Sequence, residues 1–401
     1  MAAFRCTCAV SSVKAPISAG LALALALATL ACASEAPRAE PANSSARLRI
    51  EGTRFVAADG STFEWRGITA FRLVDYVADG QEATTAKFLE WAASQRLTVV
   101  RVLTMMGGQF DLRPEDGRRA LPRVLELAAR HGIVVEVVAL AGTADIKVDL
   151  GQHVAELGKI LATHRNALLE IANEPVHPSQ APEVHKPEVL RGLAATVPSS
   201  VPIALGSIER GDGFGEAGYV TWHSPRESGS GGWGHVLALA EGARLLARWK
   251  KPVVSDEPIG AGPALQPGRR DNLAARFRAA AILTRLVGMG ATFHYEGGIQ
   301  ATIPAGAELA CLTAWKEAWT LLPAGVEQSG VFRISGGAAS VVANYDRKRL
   351  PGVYERIDGS KGWILAIGDE SVPLTLADGW RATGSRSIDG ARLITVTRAP
   401  A

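Results

Sequence analysis

Cysteine is scarce in this 401-residue chain: there are four, and Cys6, Cys8 and Cys32 all fall near the start. Cys311 is alone in the remainder, which excludes an intramolecular disulfide there and a cysteine-ligated metal. It sits in the helical pattern "GAELACLTAWKEAWTLL" and reads as a small buried hydrophobe. The sequence has no HExxH and no GxSxG, and its eight histidines are dispersed, so neither a zinc-protease helix nor a nucleophile elbow is present. Excess charge of one sign is missing too. The 43 Lys and Arg against 40 Asp and Glu give a net +3 and are scattered, leaving no electrostatic footprint for nucleic acid. Nothing in the chain asks for a metal or a cofactor.

What is present begins with a leader. Arg5 and Lys14 accompany the apolar run "ISAGLALALALATL", too short to span a bilayer as a mature helix, and "ACAS" supplies small residues for cleavage. Residues 1–33 are therefore expected to be an export signal. Leu30-Ala31-Cys32 resembles a bacterial lipobox, with Thr29 as the departure. Lipidation of Cys32 and release as a free protein both stay open, so the expected location is periplasmic, extracellular or anchored at the outer membrane. A lipid on Cys32 would be the one membrane contact. Residues 34–46, rich in Ala, Pro, Glu and Ser, read as a flexible tether.

From Leu48, "LRIEGTRFVAADGSTFEWRGIT" alternates on either side of Asp59-Gly60, which predicts a hairpin with a tight turn. Short β-rich runs then alternate with amphipathic helical patterns. "TAKFLEWAASQ" leads to "LTVVRVL", "LPRVLELAARHG" to "IVVEVVAL", and "LGQHVAELGKILATHRN" to "ALLEIANE". "VPIALGSI", "YVTWHS", "PVVSDEP" and "ATFHYEGG" follow. With "GITAF" as the first, these eight strand candidates predict an α/β fold, a TIM (β/α)8 barrel over residues 47–323. An open doubly wound sheet is the competitor, but no glycine-rich phosphate loop follows the first strand. Residues 324–401 have no helical period, and "GWILAIGDESVPLTLADGW" and "ARLITVTRAP" predict a small β-rich, sandwich-like module against the barrel. Its role is either stability or glycan binding.

Chemistry in a TIM barrel sits at the carboxyl ends of the strands. Two ends turn from aliphatic to acidic: Asn173-Glu174-Pro175 on the fourth strand and Glu257-Pro258 on the seventh. Strand alternation groups Glu170, Ala172 and Glu174 on one face, and Val253, Ser255 and Glu257 on another. If both faces point inward, Glu174 and Glu257 converge at the mouth. Asp256 is then expected to face away, towards the helices or a loop.

"WRGIT", "VVRVL", "LEIANEP", "VTWHSP" and "VVSDEP", in this order and at these spacings, resemble the clan A glycoside hydrolases, most closely the cellulase-like family 5, across residues 47 to 322. The resemblance implies a retaining β-glycosidase acting on carbohydrate without a cofactor. Such enzymes hold two carboxyl groups about 5 Å apart, one a proton donor and one a nucleophile. By the resemblance Glu174 is the acid/base and Glu257 the nucleophile. Asn173 would bond the sugar 2-hydroxyl, Arg101 would orient Glu257 and keep it ionised, His223 would lie near the centre, and Glu170 would be a deeper structural acid.

The chain departs from that pattern in three places. "IVVEVVALAG" lacks the family's terminal His, His223-Ser224-Pro225 replaces His-x-Tyr, and "TFHYEGG" stands where a Trp platform is expected. His294 and Tyr295 are the candidate substitutes on that last strand. Trp233, in "ESGSGGWGH", is the favoured sugar platform; Phe71 and Trp222 are others, although Trp222 has opposite parity to His223. His177 has no assigned role. Read alone, Glu174-Pro175 would also suit the start of a helical turn, and Arg101 an ordinary ion pair with Glu136 or Glu170. Two rival functions stay open: a catalytically inert barrel that binds glycan at the cell surface, and an exo-acting or transglycosylating clan A enzyme.

Overall fold

A computed structural model describes residues 47–207, 213–224, 232–261, 271–337 and 339–399. The expected export signal and tether, Cys32 included, lie outside the described residues. The chain enters through an antiparallel pair, β1 (Arg49–Glu51) and β2 (Arg54–Val56). The Asp59-Gly60 turn follows, where Val56 bridges Thr62 and Asp59 Oδ1 accepts from Ser61 N at 2.9 Å.

The barrel begins with β3 (Arg66–Thr69), followed by α1 (Leu73–Ala78) and α2 (Glu82–Ser94). Then come β4 (Val99–Leu103), α3 (Pro114–Ala129), β5 (Val134–Leu140), α4 (Leu150–Thr163), β6 (Ala167–Ala172) and α5 (Pro187–Ala194). β7 (Ile203–Gly206) and β8 (Val220–Trp222) precede α6 (Trp233–Ala238) and α7 (Gly242–Trp249). β9 (Val253–Ser255), a short β10 (Gly260–Ala261), α8 (Ala274–Val287), β11 (Gly290–Tyr295), α9 (Glu296–Ile299) and α10 (Gly306–Leu321) complete it. The helices start where the sequence provides for it. Pro114 opens α3 with Glu115 and Asp116 in the first turn, and Asp149 caps α4 by accepting from Gln152 N at 2.9 Å.

Eight parallel strands neighbour one another in the order β7-β6-β5-β4-β3-β11-β9-β8, with β10 paired to β11. Gly218 N and Tyr219 N donate to Ile203 O at 2.8 and 3.1 Å across the remaining seam, so the TIM barrel is nearly closed, as expected from the sequence. Period-two alternation sorts the strand residues into two cores. Val100, Val135, Leu169, Val253 and Phe293 face outward and join Leu121, Val124, Leu157 and Phe277 of the helices. Val99, Val134, Leu168, Ala204 and Val254 face inward and are stoppered by Leu48, Phe55 and Tyr219. The entry hairpin thus closes the amino-terminal end of the barrel.

This sorting corrects the expected parity of β9. Val254, not Val253, is the interior residue, so two positions on Asp256 points into the barrel and is fully buried. β9 ends at Ser255, and the bend after it, rather than strand alternation, carries Glu257 to the mouth.

The remaining chain forms β12 (Val331–Ile334), β13 (Val342–Asn344), β14 (Gly352–Asp358), β15 (Lys361–Ile367), β16 (Thr375–Leu376), β17 (Trp380–Ser387) and β18 (Ala391–Arg398). Five of these make an antiparallel sheet in the order β12-β14-β15-β18-β17, and β13 pairs with β16. Val353, Ile364, Ala366 and Val396 pack with Val342 and Leu350 on one face, while Tyr354, Leu365, Ile367 and Leu393 join the barrel core on the other. Arg356 fastens the sheet to the end of α8, donating to Leu286 O and Ser329 O at 2.6 Å and to Glu327 O at 2.8 Å. A cation suits the Leu286 carbonyl because α8 carries its partial negative charge at that end. No helix among the described residues is long and apolar enough to cross a membrane.

Candidate active site

The interior layer above the stopper is built on Arg101, which β4 places wholly out of solvent. Its Nε and Nη2 donate to Glu170 Oε2 at 3.0 and 2.7 Å, Nη1 to Glu257 Oε1 at 3.1 Å, and Nη2 also to Asn173 Oδ1 at 2.9 Å. Asp256 Oδ2 lies 3.3 Å from Nε and Glu136 Oε2 3.9 Å. Both readings of Arg101 therefore hold, since one guanidinium pairs with the deep acids and with Glu257. A planar, permanently charged fork suits this, because a buried carboxylate keeps its charge only beside a compensating cation. Ser207 and Thr221 donate to the other oxygen of Glu170 at 2.7 and 3.0 Å, and Tyr219 donates to Glu136 at 3.0 Å.

The protons divide unevenly among these acids. Burial, with Asp256 and Glu170 beside it, pushes Glu136 well above the usual carboxylate range. Burial also raises Glu170, against the pull of Arg101. Burial would raise Asp256 as well, but Arg101 and His223 outweigh it and hold its carboxyl below the usual range. Desolvation would strip the proton from His223, yet Glu257 and Asp256 hold the ring well above its ordinary value, as a cation.

At the mouth, one oxygen each of Glu174 and Glu257 and a nitrogen of His223 lie within 4.8 Å of one another. His223 Nδ1 is 3.1 Å from Glu174 Oε1; its Nε2 is 3.3 Å from Asp256 Oδ1 and 3.6 Å from Glu257 Oε1. His294 Nε2 approaches Glu257 Oε2 at 3.7 Å, and its Nδ1 is paired with Thr69 Oγ1 at 2.9 Å. The two carboxyls differ in access: the side chain of Glu174 is 26% exposed and that of Glu257 4%. A cation at this trio would compete with a protonated His223, which has no lone pair to give. Glu136, Glu170 and Asp256 also converge within 4.8 Å, but there the Arg101 guanidinium already supplies the positive charge.

Glu174 leaves the strand in a left-handed backbone conformation, φ 42°, which for a side-chain-bearing residue stores about 1–2 kcal/mol of strain. The turn behind it is well supported. Gln180 Nε2 donates to Leu140 O at 3.2 Å and to Asn173 O, while its Oε1 accepts from Thr143 Oγ1 at 2.7 Å. His177, unassigned from the sequence, accepts from Ser179 N at 3.1 Å and closes the same turn. Because Arg101 holds Asn173 by Oδ1, the amide NH2 is directed away from the guanidinium.

Glu174, Glu257, Asn173, Arg101, His223 and His294 are thus brought together. Tyr295 is not. Alternation on β11 turns Thr292 and His294 inward and Phe293 and Tyr295 outward, so Tyr295 is fully buried, stacks on Phe293 and donates to Thr302 O at 2.6 Å. Trp233 is also a correction as a sugar platform: its ring packs against Gly390 in the β17–β18 turn and lies 6.0 Å from the Arg276 guanidinium. Phe71 is buried with Arg101 5.4 Å over its ring, and Trp222 belongs to the outer core. Burial pushes the Cys311 thiol up to about 12, in keeping with an inert core residue.

Sequence reasoning missed Asp256 as an interior group, and with it Ser207, Thr221 and Tyr219. The register that sets the parity is tertiary: Val254 lies level with Gly290 and Thr221 of the flanking strands, and counting two onward from it reaches Asp256.

No protein-family model and no curated protein matches the chain. Solved structures do. A glycoside hydrolase family 5 protein from Bacteroides vulgatus ATCC 8482 aligns over 88% of this chain and 93% of its own, at 14% identity and a TM-score of 0.60. The endo-1,4-β-mannanase of Rhizomucor miehei aligns over 69% of this chain and all of its own, at 12% identity and a TM-score of 0.51. A β-glucanase from Saccharophagus degradans, solved with cellotetraose, aligns over 68% and 93%, at 10% identity and a TM-score of 0.50. The chain shares the fold of these glycoside hydrolases.

Proposed function

We propose that the protein is an exported glycoside hydrolase that cleaves β-glycosidic bonds in an oligo- or polysaccharide with retention of anomeric configuration. The observation that carries this reading is the approach of Glu174 and Glu257 to within 4.8 Å, with Arg101 on one and His223 between them. Retaining enzymes hold their two carboxyls about 5–5.5 Å apart, and inverting ones leave a wider gap for water.

Glu257, kept ionised by Arg101 at 3.1 Å, is the nucleophile. Its oxygen forms a bond to the anomeric carbon as the bond to the leaving oxygen breaks, and Glu174 gives that oxygen its proton. The ester consumes the charge of Glu257, so Glu174 becomes the stronger acid and stays ionised until it takes a proton from the attacking water. Water then replaces Glu257 on the sugar, and both residues return to their first state. The greater exposure of Glu174 fits a group that must meet a leaving group and then water. The Asn173 amide, oriented by Arg101, is placed to donate to the sugar as its ring flattens.

The mannanase and the cellotetraose-bound β-glucanase of like fold support a β-linked polymer as substrate. Export rests on the sequence of residues 1–33, and an anchor on Cys32 is tested by metabolic lipid labelling of wild type and Cys32→Ser. The enzyme reading is tested with aryl β-glycosides, mannans and glucans beside Glu174→Ala and Glu257→Ala. Turnover by wild type alone, with a first-formed anomer of retained configuration by proton NMR, is expected. An inverted first product would remove Glu257 as nucleophile. A wild type that binds glycan and cleaves nothing would make the barrel a binding protein.

A further inference from the structure

Glycoside cleavage as described above uses two carboxylates and leaves a third unaccounted for. Asp256 is adjacent to Glu257 in sequence, fully buried, and like Glu257 touches both Arg101 and His223, but unlike Glu257 it takes no part in the bond changes. Its Oδ2 lies 3.3 Å from Arg101 Nε and 3.3 Å from the hydroxyl of Ser207, and its Oδ1 lies 3.3 Å from His223 Nε2. Three contacts converge on the nitrogens of the His223 ring, and every one is a carboxylate oxygen. Glu174 Oε1 faces Nδ1, and Asp256 Oδ1 and Glu257 Oε1 face Nε2.

A neutral imidazole has one N–H and one lone pair, so it cannot satisfy carboxylates on both nitrogens; the cation can. Nε2 has two carboxylate oxygens at ion-pair distance, Asp256 Oδ1 at 3.3 Å and Glu257 Oε1 at 3.6 Å, without a hydrogen bond to either. We propose that Asp256 is a positioning residue that supplies His223 with a permanent counter-charge, fixing the ring as a double donor between the proton donor and the nucleophile throughout turnover.

The proposal rests on the glycosidase reading for its chemical consequence. Glu257 loses its charge while it is esterified, and Glu174 exchanges its proton twice, so neither can hold the ring at every stage. Asp256 forms no bond and transfers no proton. With it in place, His223 keeps donating to Glu174 Oε1, and the transferable proton is confined to Oε2, the oxygen available to the leaving group. The charged and titratable groups around the ring are Glu174 and Glu170 from β6 and its end, and Asp256 and Glu257 from the end of β9. Arg101 from β4 and His294 from β11 act through those acids. Burial opposes the ring charge, and the flanking carboxylates outweigh it.

The test is a pH titration of the full chain carrying 15N-labelled histidine, without substrate, with the His223 signals assigned by their loss in His223→Gln. In wild type both ring nitrogens are expected to stay protonated across the range where an ordinary histidine titrates, about pH 5 to 8. In Asp256→Asn the ring should deprotonate at least about one pH unit, or tenfold in proton affinity, more easily than in wild type. Asp256→Glu should restore part of the difference. A neutral, single-tautomer His223 in wild type at about pH 7, or an unchanged midpoint in Asp256→Asn, overturns the proposal. If Asp256→Asn fails to fold, the wild-type titration decides alone. In the same variant the alkaline limb of kcat/KM should move to lower pH, with kcat falling at least about tenfold and KM holding within about threefold. Because the ring is read without substrate, a protein that cleaves no glycoside refutes the glycosidase reading and leaves the ring titration to judge Asp256.

Discussion

The acid sensitivity of the barrel should trace to His153. This residue of α4 is fully buried, with Arg118 Nη1 2.8 Å from Nδ1 and Ala139 O 3.1 Å from Nε2. A guanidinium only donates and a carbonyl only accepts, so the ring is neutral, with its proton on Nε2. Burial first, and then the charge of Arg118, lower its pKa from 6.5 to about 4. The unfolded chain therefore binds the proton more tightly than the folded one. The resulting stability is fully present above about pH 6.5 and is lost as pH falls towards 4, because stability rises with pH wherever the unfolded state holds more protons. Integrating between those two pKa values gives a loss of about 2 kcal/mol at pH 5 and about 3 kcal/mol at pH 4. That is a large share of the roughly 5–15 kcal/mol of a typical domain. Urea unfolding of wild type and His153→Gln at pH 7 and pH 5 measures it, since Gln can donate to Ala139 O and accept from Arg118 without titrating. Wild type should lose about 2 kcal/mol more than the variant between the two pH values. Equal losses would refute both the tautomer and the assignment.

Gly206→Ala should injure the site more than the fold. A Cβ there would lie 2.4 Å from Pro175 Cγ and 2.5 Å from Ala172 O, so the turn carrying Asn173 and Glu174 must move. We expect kcat/KM on an aryl β-glycoside to fall by about 10²-fold, as for other small misplacements of a reacting group, with a stability cost of about 1–3 kcal/mol by calorimetry. Wild-type kinetics would show that the turn absorbs the methyl. Arg356→Met strands three carbonyls at the junction of α8 and the C-terminal sheet and should cost about 3 kcal/mol in urea unfolding; a loss under about 1 kcal/mol would mean that water replaces the guanidinium.

The eight barrel strands are readable from the sequence because each is a short β-branched or aliphatic run set between amphipathic patterns, and a barrel strand buried on both faces needs that composition. Glu174, Glu257 and Arg101 are readable for a related reason, since acids and a guanidinium at the ends or centres of such runs have nowhere to go but the barrel interior or its mouth. Asp256 was not. In "VVSDEP" alternation fixes which acid is interior only if the inward valine is known, and two adjacent valines look alike until neighbouring strands set the register. Glu257 then escapes alternation altogether, because the strand stops at Ser255. Tyr295 and Trp233 failed for another cause. Each is an aromatic beside a polar strand end or loop, and the partners that claim it, Phe293 for one and Gly390 for the other, are set by tertiary packing.

The hairpin stopper has a consequence for proton traffic. Leu48, Phe55 and Tyr219 seal the lower end of the barrel with side chains that carry no exchangeable path to water, save the Tyr219 hydroxyl, which turns to Glu136. Among the described residues, the amino-terminal side of Glu136, Glu170, Asp256, Glu257 and the two cations among them is thus closed to bulk water. A sugar seated over Glu174 would shut the mouth, and the number of protons inside would be frozen at whatever count was present when it bound. Under the proposed glycosidase reading, the pH of the medium would then set which fraction of molecules closes with the right proton count for the bond-breaking step.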